Sequence, residues 1–243
     1  MQWGASVIDR ILPGVLLSVI LPLAAAYAIG SVPIGLVVVR LSTGKNVLNE
    51  HSGRTGGTNV MRTAGFWAGL VTAIGDVLKG GAAVLLAQAM APGAPWVHAG
   101  AGILAVLGHN HSVFLMERSQ GRLRFRGGAG GATALGCGIA LSPTLAWVIL
   151  IVPVLLFGIG YASVTTLSVG ALMTLTLAVE ANAGQVPWAY VGFGVGAEVL
   201  MVLALRPNLE RLRRGEERLV GIRARLRRDG RPAKSASTPQ QEA

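Results

Sequence analysis

The chain has 243 residues, of which 52% are hydrophobic and 13% charged, and its formal net charge is +10. A soluble domain carries roughly a quarter charged residues, so this composition excludes an ordinary soluble fold, and a mean hydropathy of +0.57 places most of the chain in lipid. In that setting the basic excess reads as membrane topology, not nucleic-acid binding. The single cysteine, Cys137, excludes an internal disulfide and reads as a small helix-packing residue.

A helical bilayer crossing takes about 20 apolar residues. Between polar punctuation the candidate spans are 14–40, 66–90, 97–115, a short one at 131–141, then 145–161, 164–179 and 189–205. An A-x-A-like pattern lies at 24–28. However, the apolar run continues through 32–39, and the preceding residues offer only Arg10, offset by Asp9, so no cleaved leader is expected. The fourth segment is too short for a full crossing and reads as a half-helix continuing a glycine loop. The charge alternation requires keeping it.

The charges sort by loop. Arg40, Lys45, Arg54 and Arg62 fall between the first two spans, and Arg118, Arg122, Arg124 and Arg126 between the third and fourth. Arg206 and the later arginines follow the seventh, while the loops near Pro92, Ser142 and Ala183 hold no Lys or Arg. The reading is an all-α, polytopic integral membrane protein of about seven transmembrane helices, N-terminus outside and C-terminus cytoplasmic. Residues 1–218 form the membrane domain. Residues 219–243 form a basic cytoplasmic tail, expected to be disordered beyond about Asp229, with its arginines on anionic headgroups.

Five segments carry chemical content. Gly30-Ser31-Val32-Pro33-Ile34-Gly35 either breaks the first span or lets a neighbour approach closely. The loop from His51 to Arg62, with Ser52, Arg54, Thr58 and Asn59, has a phosphate-binding composition ahead of a helix N-terminus. A plain flexible loop is the competing reading. Asp76 and Lys79, at i and i+3 on one helix face, form either a structural ion pair or part of a site. Gly108-His109-Asn110-His111 precedes the run Arg126-Gly127-Gly128-Ala129-Gly130-Gly131-Ala132-Thr133, which suits a phosphate at a helix start. Glu117 is the only carboxylate near the two histidines in sequence, so no metal site is expected. The last segment, 206–218, is a basic juxtamembrane helix containing Asn208.

Taken in this order, the segments resemble the bacterial acyl-phosphate:glycerol-3-phosphate acyltransferase (PlsY) family from about residue 27 to residue 218. Its patterns are G-S-x-P-x-G, G-S-G-N-x-G-A-T-N-x-x-R, D-x-L-K-G, G-H-x-x-P-V-F, K-G-G-K-G-V-A-T and H-R-x-N-I-x-R-L-x-x-G-x-E. The chain departs from them in places. Arg54 stands for Asn, Ser112 for Pro, Arg126 and Ala129 for the two Lys, and Leu205 for His; the stretch 116–125 also looks longer than usual.

The resemblance implies a seven-helix enzyme of the cell inner (plasma) membrane that works in phospholipid biosynthesis. Such an enzyme moves a fatty acyl group from acyl phosphate to the 1-hydroxyl of glycerol 3-phosphate without a cofactor or metal. Its partners are those two substrates and membrane lipid. The residues implied as catalytic are Ser31, His109 and Asn208. Those implied as substrate-binding are Ser52, Arg54, Thr58, Asn59, Arg62, Lys79, Arg126, Gly127, Gly128 and Thr133. Two other readings stand beside this one. One is a divergent paralogue that binds another polyol phosphate or a phospholipid. The other is a small-solute transporter with glycine-broken spans.

Overall fold

The computed structural model describes residues 14–119 and 121–221. Most of the tail expected at 219–243, and the residues around Arg10, lie outside the described residues. A π-helical turn at Leu16–Ile20 leads into α1 (Leu21–Ser31), and after a break the chain resumes as α2 (Ile34–Thr43). The break follows from Pro33. Proline pushes the residue before it out of the helical region, and Val32 sits at φ −57°, ψ 118°.

Helix α3 (Gly57–Ala64) turns at Gly65 into α4 (Phe66–Met90), the longest apolar helix of the first half, which is followed by α5 (Pro95–Asn110). Helix α4 shows how lipid sorts a helix. Leu70, Val71, Ile74, Leu78 and Leu85 are exposed, while Thr72, Asp76, Lys79, Gly80 and Ala83 are buried. Polar residues face the bundle because lipid cannot satisfy them.

The expected third span, 97–115, needs correction, and with it the all-α assignment. The helix stops at Asn110, and Ser112 opens a hairpin of β1 (Ser112–Ser119) and β2 (Arg122–Arg126). The strands are antiparallel, with Met116 opposite Phe125 and Glu117 opposite Arg124. Gly121 supplies a positive φ of 76° in the turn. Apolar and charged residues interleave here with a period near two, and opposite charges across the ladder favour pairing.

The second half begins with α6 (Gly131–Leu141), 11 residues long, or roughly 16 Å. Ser142 is extended, and a 3-10 turn (Pro143–Trp147), α7 (Val148–Val154) and a π-helical turn (Leu155–Ile159) follow. The helices α8 (Ala162–Asn182) and α9 (Trp188–Arg213) complete the bundle. Among the described residues, four stretches are long and apolar enough to cross a membrane: Leu16–Thr43, Phe66–Met90, Ala162–Asn182 and Trp188–Arg213.

Small residues let these helices meet. The core combines Ala83, Ala101, Ala105, Cys137, Met173 and Phe193. Cys137 Sγ lies 3.3 Å from the Gly80 carbonyl oxygen. A second, smaller cluster holds Val39, Val47, Leu48, Val60 and Leu115. At one end of α6, Glu180 of α8 accepts hydrogen bonds from Ser142 (2.7 Å) and Thr144.

Gly136 is the tightest test of the α4–α6 seam. A Cβ there would overlap the Val77 carbonyl, whereas at Gly81 the nearest atom would be 3.5 Å away. We expect Gly136→Ala to destabilise the protein by about 1–3 kcal/mol through overpacking, and Gly81→Ala to be neutral or slightly stabilising. Thermal unfolding of the two variants in detergent measures this; equal midpoints would contradict the seam.

Candidate active site

The centre is built around Lys79. Its ammonium donates to the Val32 carbonyl at 2.7 Å and to His109 Nδ1 at 2.9 Å. It also lies 2.8 Å from Asp76 Oδ1, and His109 Nδ1 is 3.6 Å from the same oxygen. All three side chains are buried. An ammonium can only donate, so Nδ1 of His109 must accept and the proton sits on Nε2. That nitrogen is turned onto Gly128, where any Cβ would collide with it. The Val32 carbonyl at the chain break, which also accepts from Ile34 N–H at 3.1 Å, thereby gains a second donor, in keeping with the need to satisfy a break in lipid.

Two further buried hydroxyls border this centre. Ser31 Oγ lies against Gly108, next to His109, and the carbonyl of Thr133 packs on Gly80, next to Lys79. Neither Ser31 Oγ nor Thr133 Oγ1 has a hydrogen-bond partner. Buried polar atoms rarely stay unpaired, so both are set to meet something else.

The glycine run closes over the histidine. Gly128 N–H donates to the His109 carbonyl at 2.9 Å, and Thr55 N–H donates to the Gly127 carbonyl at 3.3 Å. Gly130 adopts φ 94° just before α6, a conformation that favours glycine. Arg126 donates to the Leu48 carbonyl at 2.7 Å and lies 3.5 Å from Glu117. The loop before α3 is thus tied to the loop before α6.

Asn59 has a different place from the one its loop suggests. Its amide donates to the carbonyls of Arg54 (2.8 Å), Glu50 (3.2 Å) and Val47 (3.4 Å), and its oxygen accepts from Ser52 N–H (3.3 Å). It shapes the loop from within. Thr58 is half-buried in the first turn of α3, and Ser52 is exposed.

Arg54 reaches α9, where Nη2 donates to the Ala204 carbonyl within the helix. Its Nη1 is buried without a partner. Burial, and then the nearby Arg211 charge, hold its pKa below the ordinary guanidinium value, with Glu217 acting the other way. Asn208 donates to Glu217 (3.1 Å), which also takes a bond from Ser163 (2.6 Å), and Arg211 donates to Asn208 Oδ1 (3.1 Å). Arg62 donates to the Arg218 carbonyl at 3.0 Å, and its pKa is lowered by burial and by the Arg218 charge.

The structure therefore brings together Ser31, Lys79, His109, Gly127, Gly128 and Thr133, and it adds Asp76. Arg54 and Arg126 join them through the loops. Asn208 belongs to the Glu217 cluster. Among the described residues no hydrogen bond or ion pair joins Ser52, Thr58 or Arg62 to Lys79 or His109. The carboxylate beside His109 is Asp76 from α4, not Glu117, which pairs with Arg126.

These features can be set against known proteins. The family profile described as glycerol-3-phosphate acyltransferase matches residues 20–215. The chain belongs to the glycerol-3-phosphate acyltransferase family. A member from Thermus thermophilus is 39% identical over 211 residues, covering 84% of this chain and 96% of that one. Glycerol-3-phosphate acyltransferase 2 of Moorella thermoacetica is 37% identical, covering 84% and 99%.

Crystal structures of PlsY (YgiH), an integral membrane glycerol 3-phosphate acyltransferase, share the fold. Its glycerol 3-phosphate form gives a TM-score of 0.72 at 30% identity, covering 85% of this chain and 98% of that chain. Its lysophosphatidic acid form gives 0.69 at 29% identity. The chain is accordingly an integral membrane acyltransferase of phospholipid synthesis.

The role of Asn59 generates a prediction. Asn59→Ala takes the donor from the Arg54 carbonyl and a second donor from the Val47 and Glu50 carbonyls, at a cost of about 1–3 kcal/mol. Amide exchange in that loop is expected to rise while exchange in α8 stays unchanged. Unaltered protection of the loop would show that Asn59 does not hold it.

Proposed function

We propose that the chain transfers a fatty acyl group from acyl phosphate to the 1-hydroxyl of glycerol 3-phosphate, with the Lys79–His109–Gly128 centre as the reaction site. The observation that carries this reading is the juxtaposition of His109 Nε2 with the glycine run, beside two unpartnered buried hydroxyls. Both substrates carry phosphate. The backbone N–H groups before α6, the dipole of that helix, and Arg54 and Arg126 supply matching positive potential.

Acyl phosphate is already activated, so the enzyme needs no strong nucleophile of its own. The 1-hydroxyl oxygen bonds to the acyl carbon, the bond from that carbon to the phosphate oxygen breaks, and inorganic phosphate leaves. The proton from the hydroxyl ends on the departing phosphate. The protein aligns the reactants, excludes water and donates hydrogen bonds to the oxyanion. His109 Nε2–H, Ser31 and Thr133 are the donors assigned to this work. Lys79 holds His109 in its tautomer. Gly127 and Gly128 let the substrate approach the backbone, while Arg62, Thr58 and Ser52 guard the rim.

Arg54 is assigned to a substrate phosphate. It is a half-buried cation with one nitrogen unsatisfied, and it occupies the position where the family pattern has a neutral Asn. It also reaches the carbonyl preceding Leu205, where the pattern has His. The two departures therefore meet in space, and the charge gained at 54 offsets the one lost at Ala129. Asn208 orients the end of α9 through Glu217. The topology that fits is seven crossings, with the N-terminus outside and the site and C-terminus on the cytoplasmic side of the inner membrane. In that arrangement the basic loops share one face.

Purified protein given palmitoyl phosphate and labelled glycerol 3-phosphate is expected to form lysophosphatidic acid and release phosphate. Well-folded protein that forms none would sink the proposal. His109→Ala should lower kcat on the order of 100-fold. Arg54→Asn should lower kcat/KM for glycerol 3-phosphate roughly 10- to 100-fold. If Arg54→Asn instead proves neutral, the guanidinium does not hold the phosphate.

A further inference from the structure

The outer part of the β1–β2 hairpin, from Met116 to Phe125, is used neither by the acyl transfer nor by the bundle core. Met116, Leu123 and Phe125 are 48%, 60% and 41% exposed. The pairings Met116 to Phe125 and Arg118 to Leu123 place these apolar residues on one face of the ladder, with Arg118 at its end. Glu117 and Arg124, directly opposite one another, occupy the other face. Three large apolar side chains on an isolated two-stranded ribbon are unfavourable in water, where such a ribbon is barely stable.

The hairpin cannot move away from the membrane boundary. Only His111 separates the end of α5 from the start of β1. The Ser112 hydroxyl donates to the Ser31 carbonyl at 2.6 Å, and Tyr27 donates to the His111 carbonyl at 2.8 Å. At the other end Arg126 is fixed to Leu48, and Leu115 is buried in the small cluster with Val39 and Val60. The ribbon therefore projects from the very end of α5, a helix packed inside the bundle.

We infer that the Met116, Leu123 and Phe125 face rests in the headgroup layer of an anionic membrane leaflet, beside the loops that form the site. The hydrocarbon layer itself is excluded because the ribbon has unpaired edges. The headgroup layer accepts both features: apolar side chains reach toward the acyl chains, and edge groups stay hydrated. Arg118, beside this face, adds charge complementarity to anionic lipid, and Arg122 and Arg124 on the other face add longer-range attraction. Arg118, on the apolar face, can lay its stem on lipid and keep its head in water. This inference needs only that the chain is a membrane protein and does not depend on the assigned reaction.

Spin labels can read both faces. Leu123→Cys and Arg124→Cys are labelled in the full-length protein; the native Cys137 is fully buried and stays unlabelled while the protein is folded. In vesicles of phosphatidylcholine and phosphatidylglycerol, the label at 123 is expected to be reached by oxygen more than by a water-soluble nickel chelate. At 124 the order is reversed. Met116→Cys gives a second reporter on the apolar face if the first variant folds poorly. Equal nickel access on both faces overturns the inference. Low access of position 123 to both reagents also overturns it, because that marks cover by a second copy or another protein.

Activity supplies an independent readout. Wild-type protein is expected to gain several-fold when phosphatidylglycerol is added to phosphatidylcholine vesicles. The combined Arg118→Gln, Arg122→Gln and Arg124→Gln variant should lose most of that gain yet match wild type in detergent micelles. A gain that survives the three substitutions overturns the attraction of these arginines to anionic lipid.

Discussion

One buried ammonium holds the site together. Lys79 meets a carbonyl from the broken first span, a carboxylate from its own helix and an imidazole from α5. Each would be costly alone in a low-dielectric interior, and together they satisfy one another. Removing the ammonium leaves Asp76 uncompensated, a loss on the order of 3–5 kcal/mol. It also takes one donor from the Val32 carbonyl and frees His109 Nδ1. Three segments far apart in sequence thus share one fixed point, and the geometry of the candidate site is inherited from it.

The loops are arranged as a second tier upon that point. Asn59 shapes the loop before α3 from inside, Thr55 joins it to Gly127, and Arg126 returns to Leu48. Backbone groups do much of the joining, which explains the glycines. A side chain at Gly128 would collide with the His109 ring, and one at Gly127 would collide with carbonyls of α5. Close backbone approach is the condition for the histidine to lie under the glycine run at all. Arg54 and Arg126 then sit around this tier, bonded to the carbonyls of Ala204 and Leu48.

Much of this is legible in the sequence. Pro33 in an apolar run announces a break, and Asp76 and Lys79 at i and i+3 announce a shared helix face. The glycine run before a helix announces a backbone with room for nothing larger, and Gly127 and Gly128 meet α5 there. Features that depend on pairing across the bundle are not legible. The carboxylate next to His109 comes from another helix, and local spacing offers only Glu117. Asn59 resembles a ligand because nothing in a glycine-rich loop reveals which carbonyls will curl around an amide. The hairpin reads as a loop with the tail of a helix. Its density of arginines suggests a solvated linker, and the period-two alternation that marks a strand is short. The partnership of Arg54 with the residue before Leu205 spans 150 positions, and no local pattern carries such a link.

The Glu180 carboxylate fastens Ser142 and Thr144 at the end of α6 opposite Gly131. Like a hinge pin set at the far side of a door, it fixes the helix without touching the latch. A substitution at the loop end, such as the one at position 129, can therefore be accepted without loosening the scaffold. A lineage with this architecture is free to retune how it grips its substrates while the bundle keeps its shape.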